Sequence, residues 1–294
     1  NYIVRLPVTR PVPGVSARSE RAIGGFMLKR ILSAAVALPL FLIVLFWAPE
    51  WALSVLMCAL CALACYEMLH AAGLCRSRIL LGAALLLSAG ILPLTIYTGL
   101  DSALGVLLCG IVLFLCAVLS GGKIDFREIF TAFLASTFLP LALGAVLRIR
   151  RMDYGILLVL LPFMAAWLTD TFAYFSGMLF GRHHIAPKIS PKKTLEGCVG
   201  GTLLCVAASM ALLPIAHTIW DVSLSAPRLA LVMLAASILS QFGDLSMSYI
   251  KRGAGIKDYG KLMPGHGGVL DRFDSVLFSA PTVEILLVYF SVIV

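Results

Sequence analysis

Apolar residues run through this chain in long continuous stretches, separated by short polar segments. Each stretch is close to the ~20 residues that cross a bilayer as a helix. None shows the apolar/polar alternation of a membrane-barrel strand. The runs fall at about 31–48, 52–73, 79–98, 102–119, 129–147, 155–180, 198–217, 228–250 and 274–293. The pattern predicts an all-α polytopic integral membrane protein with about nine transmembrane helices. The run from Ile31 meets Ala48-Pro-Glu-Trp51 with no small-residue cleavage site, so it reads as a span and not as a removed signal.

The polar positions divide the chain unevenly. Residues 1–26 are polar and basic, with Pro7, Pro11 and Pro13, and read as an unstructured or non-native extension ahead of Met27. Residues 27–154 hold apolar helices with few polar residues. Residues 155–294 hold nearly all the chemistry, with loops at 181–197 and 251–273, and are expected to form the catalytic region. No internal repeat stands out.

Composition supports the membrane assignment. Of 294 residues, 61% are hydrophobic and only 13% charged, too few to clothe a soluble domain of this size. The net charge of +8 would suggest nucleic acid in a soluble protein; here its distribution reads as membrane topology. With the N-terminus placed in the cytoplasm, 19 of the 23 Lys and Arg fall in cytoplasmic segments. The other side keeps Arg148, Arg150, Arg151 and Arg228. Nine spans then put the C-terminus outside and both polar loops in the cytoplasm. Cys58 and Cys61 form a C-x-x-C with no second pair or His partner nearby; the eight cysteines read as small apolar residues rather than a zinc or disulfide framework.

The densest chemistry lies at 240–274. Ser240, Asp244, Ser248 and Arg252 recur every four residues, which aligns them on one helix face. Asp244 sits in an apolar span, where a carboxylate is costly unless paired, hydrated or bound to a metal. Lys251 and Arg252 end that span; Lys257, Asp258 and Lys261 follow, then Pro264-Gly-His-Gly-Gly268 and Asp271-Arg-Phe-Asp274. Glycines there let backbone N–H groups turn toward an anion. Carboxylates for Mg²⁺, with Lys and Arg for the remaining phosphate charge, suit phosphate chemistry. A second cluster spans 167–201. Trp167, Asp170, Thr171 and Tyr174 share a helix face, and Gly177-x-x-x-Gly181 offers a close helix contact. Lys188, Lys192 and Lys193 form a cationic patch stiffened by Pro187 and Pro191. Ser190 and Thr194 could donate to phosphate or cap the next helix, and Thr194-Leu-Glu-Gly197 with Gly200-Gly201 suggests a helix start packed tightly on a neighbour. His183 and His184 lack metal-ligand spacing and read as structural or interfacial.

These residues carry a resemblance. Ser248, Lys251-Arg252, Lys257-Asp258, the Pro264–Gly268 turn and Asp271-Arg-Phe-Asp274, at this spacing, resemble the signature of the phosphatidate cytidylyltransferase (CDP-diacylglycerol synthase) family. Asp170-Thr-Phe-Ala-Tyr174, Ser190-Pro-Lys-Lys-Thr194 and Glu196-Gly197 are similar to the family as well. The first five spans match only in hydrophobicity and in Glu67. Two positions depart: Met247 stands where the family usually has Glu, and Met263 replaces a more usual Leu, Ile or Phe.

The resemblance implies transfer of CMP from CTP to phosphatidate, giving CDP-diacylglycerol and pyrophosphate in phospholipid biosynthesis. It implies a multi-pass protein of the cell inner (cytoplasmic) membrane with its site facing the cytoplasm. Asp244 and Asp271 are the expected Mg²⁺ ligands, with Asp170 and Asp274 as weaker candidates and room for a second cation. Lys251, Arg252, Lys257, His266 and Arg272 are the expected catalytic cations and hydrogen-bond donors. Ser190, Lys192, Lys193, Thr194, Ser248, Gly267 and Gly268 are expected to hold substrate. CTP, phosphatidate and the bilayer are the expected partners, nucleic acid is not, and a homodimer is compatible with the sequence. A transporter or channel would use Asp170, Asp244 and Glu284 as an ion path, but the polar residues concentrate in loops and no inverted repeat is present. CDP-alcohol transferases carry a dense Asp-x-x-Asp-Gly constellation, whereas Asp274 is followed by Ser275 here.

Overall fold

In the computed structural model, residues 39–260 and 267–294 are described. The expectations for residues 1–26, for residues 31–38 of the first span and for His266 fall outside the described residues. The chain is built of helices: α1 (39–47), α2 (Glu50–Tyr66), α3 (Arg78–Thr98), α4 (Ser102–Leu119), α5 (Phe126–Arg150), α6 (Gly155–Leu158), α7 (Leu160–Phe180), α8 (Leu195–Ser209), α9 (Leu212–Trp220), α10 (Ala226–Gly253), α11 (Leu270–Phe273) and α12 (Val276–Tyr289).

Among the described residues, seven helical segments are long and apolar enough to cross a membrane: Glu50–His70, Arg78–Thr98, Ser102–Leu119, Phe126–Arg150, Gly155–Phe180, Leu195–Trp220 and Ala226–Gly253. They correspond to seven of the nine apolar runs. The last run, read as 274–293, is a helix of 14 residues that begins at Val276 and ends at Tyr289. Beyond it the chain turns extended and pairs with the segment before α10, where Ser225 N–H donates to the Val292 carbonyl at 2.8 Å.

Helix starts follow their capping residues. Ser77 accepts from Leu80 N–H at 3.3 Å, Asp101 from Ala103 N–H at 2.7 Å, and Asp125 from Arg127 N–H at 2.8 Å. Each side chain satisfies a donor that the helix itself leaves open. Helices α2, α3, α4 and α5 pack on one another, and α7, α8, α10 and α12 form a second group. Helix α12 lies against α5 where the groups meet. The core there is apolar and tight, with Leu139, Leu143, Leu147, Phe163 and Leu277 buried.

Two features depart from the expected pattern. The segment 181–197 is not only a loop: β1 (His184–Ala186) and β2 (Ser190–Thr194) form an antiparallel hairpin. Each strand of a two-stranded ribbon keeps one edge free, so Pro191 removes no needed donor. Helix α2 ends in a π-helical turn, Glu67–Ala71. Such turns are local insertions that redirect a side chain.

The loops sort to two ends of the bundle. At one end, the segment after α2 meets the start of α5, because Glu128 accepts from the backbone N–H of Arg76 and Ser77 at 3.0 and 3.1 Å. Arg252, at the end of α10, donates to the Ile189 carbonyl of the hairpin at 3.3 Å. At the other end, Arg151 bridges to Glu50 at 3.1 Å and to the Ile96 carbonyl at 2.9 Å.

Candidate active site

Helices α7 and α8 run against each other at backbone contact. A Cβ on Gly197 would lie 2.8 Å from the Ala173 carbonyl oxygen and 3.1 Å from Gly177 Cα. One on Gly201 would lie 2.7 Å from Ala173 Cβ. The sequence pattern Gly177/Gly181 opposite Gly197/Gly201 is thus a small-residue seam. Thr194 closes its end: its Oγ1 caps α8 by accepting from Gly197 N–H at 3.2 Å. The threonine is buried and serves the helix start, the second of the two roles open to it from the sequence.

The seam fixes two charged side chains. Asp170 projects from α7, and its Oδ2 accepts from the Ser275 hydroxyl at 3.1 Å, just ahead of α12. Lys193 comes from the end of β2 and reaches α10, placing Nζ 2.6 Å from Asp244 Oδ2. Asp244 also accepts from the Ser248 hydroxyl one turn on, at 3.5 Å. The carboxylates of Asp170, Asp244 and Asp274 lie within electrostatic reach of one another, and Arg272 lies within the same reach of Asp170. Segments 74 residues apart in sequence, Asp170 and Asp244, therefore share one polar centre.

Asp271 forms a neighbouring centre. Its Oδ1 holds Lys251 Nζ at 2.8 Å, and Lys251 stands 3.8 Å from Asp274 Oδ2. Asp271 Oδ2 accepts from Tyr259 N–H at 2.8 Å and Gly268 N–H at 2.9 Å. Gly267 has φ +83°, the left-handed region that turns the chain into this contact. Tyr259 is fully buried beside Lys251, donates its hydroxyl to the Met247 carbonyl at 3.1 Å, and has its phenol pushed up by burial and by the charges of Asp271 and Asp274. Met247, where the family usually has Glu, is buried in the apolar core.

Glu67 completes the centre. It sits on the π-helical turn after α2, 5% exposed, and accepts from Val269 N–H at 3.0 Å and Leu270 N–H at 2.8 Å. Its carboxylate fills the slot that side chains on Gly260 and Gly268 would occupy. Sequence reasoning noted Glu67 only as a resemblance. The signal it lacked was the π-turn, which no capping residue or periodicity announces.

The expected site residues thus divide. Asp170, Asp244, Asp274, Lys193, Ser248 and Arg272 gather at the first centre; Asp271, Lys251, Gly267 and Gly268 gather at the second, and Lys251 bridges the two. Asp244 and Asp271 each hold a different lysine rather than facing each other. Arg252, Lys192 and Lys257 are exposed nearby, and half-buried Ser190 pairs with Ala186 in the hairpin. Tyr174 is exposed and packs edge-on against Phe175. Among the described residues, no three His, Cys, Asp or Glu side chains converge as a ready-made metal cage. The donor set is nonetheless all carboxylate oxygen. Mg²⁺ ordinarily takes one or two carboxylates together with substrate phosphates and water, so these residues fit it.

His183 and Glu196 have a different task. The Glu196 carboxylate accepts from the backbone N–H of Arg182 and His183 at 3.0 and 3.1 Å and also contacts the His183 ring. This closes the hairpin onto the start of α8, consistent with a structural histidine.

Comparison with known proteins draws these parts together. A protein of Staphylococcus haemolyticus named phosphatidate cytidylyltransferase is 39% identical over 171 residues, 58% of this chain and 64% of its own length. Proteins of the same name from Staphylococcus saprophyticus and Staphylococcus aureus (strain COL) are 38% and 37% identical over 172 and 171 residues. The alignments span 64% of the length of these relatives, somewhat less than two thirds. The model of the cytidylyltransferase family matches residues 28–290 and takes in both polar centres, and on that match the chain belongs to the cytidylyltransferase family.

Proposed function

We propose that this protein is a phosphatidate cytidylyltransferase, which joins CTP and phosphatidate to give CDP-diacylglycerol and pyrophosphate. One observation carries the reading. Two polar segments distant in sequence, each resembling the family, meet at one end of an apolar helix bundle through the Lys193–Asp244 pair at 2.6 Å and the Ser275–Asp170 hydrogen bond at 3.1 Å. The names of the similar proteins agree with it.

The reaction is a substitution at the α-phosphorus of CTP. A phosphate oxygen of phosphatidate forms the new P–O bond, and the bond to the bridging oxygen breaks as pyrophosphate leaves. The nucleophile is already anionic near neutral pH, so no strong base is required. The barrier lies in bringing two polyanions together, which calls for positioning and charge neutralisation. Lys193 and Lys251 each hold a carboxylate, and an incoming triphosphate competes for both ammonium groups. Arg252, Lys257, Arg272 and Lys192 supply exposed cations around them. Gly267 and Gly268 shape the backbone turn, with Gly268 N–H tied to Asp271. Asp244 and Asp271 would hold Mg²⁺, with Asp170 and Asp274 offering neighbouring oxygens. Bound there, the ion would neutralise phosphate charge and align phosphate oxygens. A membrane orientation with this end in the cytoplasm, the side of CTP, follows from the concentration of Lys and Arg there.

The test is turnover of radiolabelled CTP with phosphatidate and Mg²⁺ in detergent. CDP-diacylglycerol should form. Asp244→Asn and Asp271→Asn should each lower the rate by about 100-fold or more, and the double variant should lose little further, because residues serving one site act non-additively. Substantial turnover by either folded single variant would overturn the assignment.

A further inference from the structure

A chamber of about 1280 Å³ opens at the same end of the bundle as the candidate active site, between the loop after α2, the end of α4 and the start of α5. None of its lining residues belongs to the two polar centres. Arg76, Lys123 and Arg127 line it, together with apolar Leu119, Phe126 and Phe130. Its two acids are already engaged: Glu128 accepts from the Arg76 and Ser77 backbone, and Asp125 caps α5 by accepting from Arg127 N–H. Among the described residues, Arg76, Lys123 and Arg127 form no ion pair. The chamber therefore carries three cations free of ion pairs against two carboxylates held in place by backbone donors, a net charge of +1.

The chamber does not stand alone. Phe130 is also a wall of a second cavity, an apolar groove of about 560 Å³ between α4 and α5. Its other walls include Val106, Gly110, Phe114 and Phe133, with no charged side chain. Phe126 and Phe130 pack at a tilt with ring centroids 4.4 Å apart, at the boundary between the two cavities. Helix α4 presents Leu107, Ile111 and Phe114 outward beside the groove. A cationic chamber at a helix end, continuous with an apolar groove along the helix, matches one class of ligand.

We propose that this is a second amphiphile site, separate from the candidate active site, which takes an anionic phospholipid. The phosphate of the headgroup meets Arg76, Lys123 and Arg127, and an acyl chain lies in the α4–α5 groove past Phe130. Basic pockets between membrane helices bind anionic headgroups. A free phosphate ion would satisfy the cations and leave the groove without a role, so the lipid is the occupant that uses both cavities.

The probe is phosphatidylglycerol, with phosphatidylcholine of the same acyl chains as the neutral comparison. Adducts on the purified full chain are counted by native mass spectrometry. This reads binding and not CTP transfer, so its outcome is independent of the proposed activity. The wild-type protein should retain phosphatidylglycerol over phosphatidylcholine, and the Arg76→Gln/Lys123→Gln/Arg127→Gln variant should lose about tenfold or more of that preference. The three side chains are exposed, so the fold should survive the change. A second variant fills the groove. The Cβ of Gly110→Leu meets only Phe133, at 3.5 Å, and its side chain should weaken retention of both lipids. Undiminished preference in the triple variant overturns the proposal. So does full displacement of lipid by soluble glycerol 3-phosphate, which would mean a phosphate site only. Lipid binding that appears only when a dimer dissociates would show this face covered by a second copy, and would overturn it too.

Discussion

Glu67 shows how one buried carboxylate can hold a site in place through the backbone. Its two oxygens take the N–H groups of Val269 and Leu270, which open the short helix α11 and would otherwise be buried donors without partners. Asp271, one residue on, ties the same turn to Tyr259, Gly268 and Lys251. Glu67→Gln keeps the size and one acceptor oxygen but brings an NH₂ against a donor. Glu67→Ala leaves both N–H groups unpartnered, at about 1–3 kcal/mol each. The unfolding midpoint should therefore fall from wild type to Gln to Ala, and turnover should fall in the same order through kcat more than KM, as expected of a positioning residue. An alanine variant with the wild-type midpoint and rate would remove Glu67 from this role. The sequence could not carry this reading. Glu67 lies 202 residues from Val269, and only the folded π-turn brings them together. Asp244 was legible because a lone carboxylate in an apolar run announces a partner. That Lys193, 51 residues earlier in the chain, stands against it was not.

At the scale of elements, the sequence predicts helices well where long apolar runs end at capping residues such as Asp101 and Asp125. It predicts poorly where a short polar stretch chooses between loop and hairpin, as at 184–194, since three- and five-residue strands leave little periodicity to read. Each side of the α7–α8 seam was legible from glycine spacing, though not that the two sides face each other, and the fold leaves little room there. A Cβ at position 201 would come within 2.7 Å of Ala173 Cβ and 2.9 Å of the Thr169 carbonyl oxygen. Gly201→Leu should cost about 1–3 kcal/mol or more through overpacking. It should also lower turnover, because Asp170 rides on α7 and Lys193 leads into α8. Gly90, exposed on α3 with nothing within 4 Å of its Cβ position, is the control. Gly90→Ala should stabilise the helix by about 0.5–1 kcal/mol and leave turnover unchanged. Thermal unfolding in detergent, read beside the turnover assay, checks both. An unchanged midpoint for Gly201→Leu would show that the seam opens without strain.

For the whole molecule, the two ends of the bundle treat their cations differently. At the end away from the site, the four arginines are engaged internally. Arg148 pairs with Glu284, Arg150 donates to the Leu45 carbonyl at 3.3 Å, Arg151 bridges to Glu50, and Arg228 donates to the Ser291 carbonyl at 2.8 Å. Glu284 is thus accounted for by an ion pair. The Arg148–Arg151 cluster, the one irregularity in the charge pattern, closes helix ends and meets acids instead of standing free in a loop. At the site's end, Arg76, Lys123, Arg127, Lys188, Lys192 and Lys257 are all exposed. The asymmetry in free charge is therefore steeper than the count of residues, and it should set the orientation. Cysteines introduced at Lys188 and Asp258, both exposed at the site's end, should react with an impermeant maleimide only from the cytoplasmic side. One at Ser223, exposed at the other end, should react only from outside. The native background should be low. The eight cysteines are buried or half-buried, and Cys75, in a loop, has its thiol pushed up to about 11 by burial and by the Glu128 carboxylate, so little thiolate is present to react. Labelling of positions 188 and 223 from the same side would break the alternation of spans between them. Labelling of 188 and 258 from outside would leave the alternation intact but put both polar centres on the side without CTP, and would overturn the proposed reaction together with the orientation.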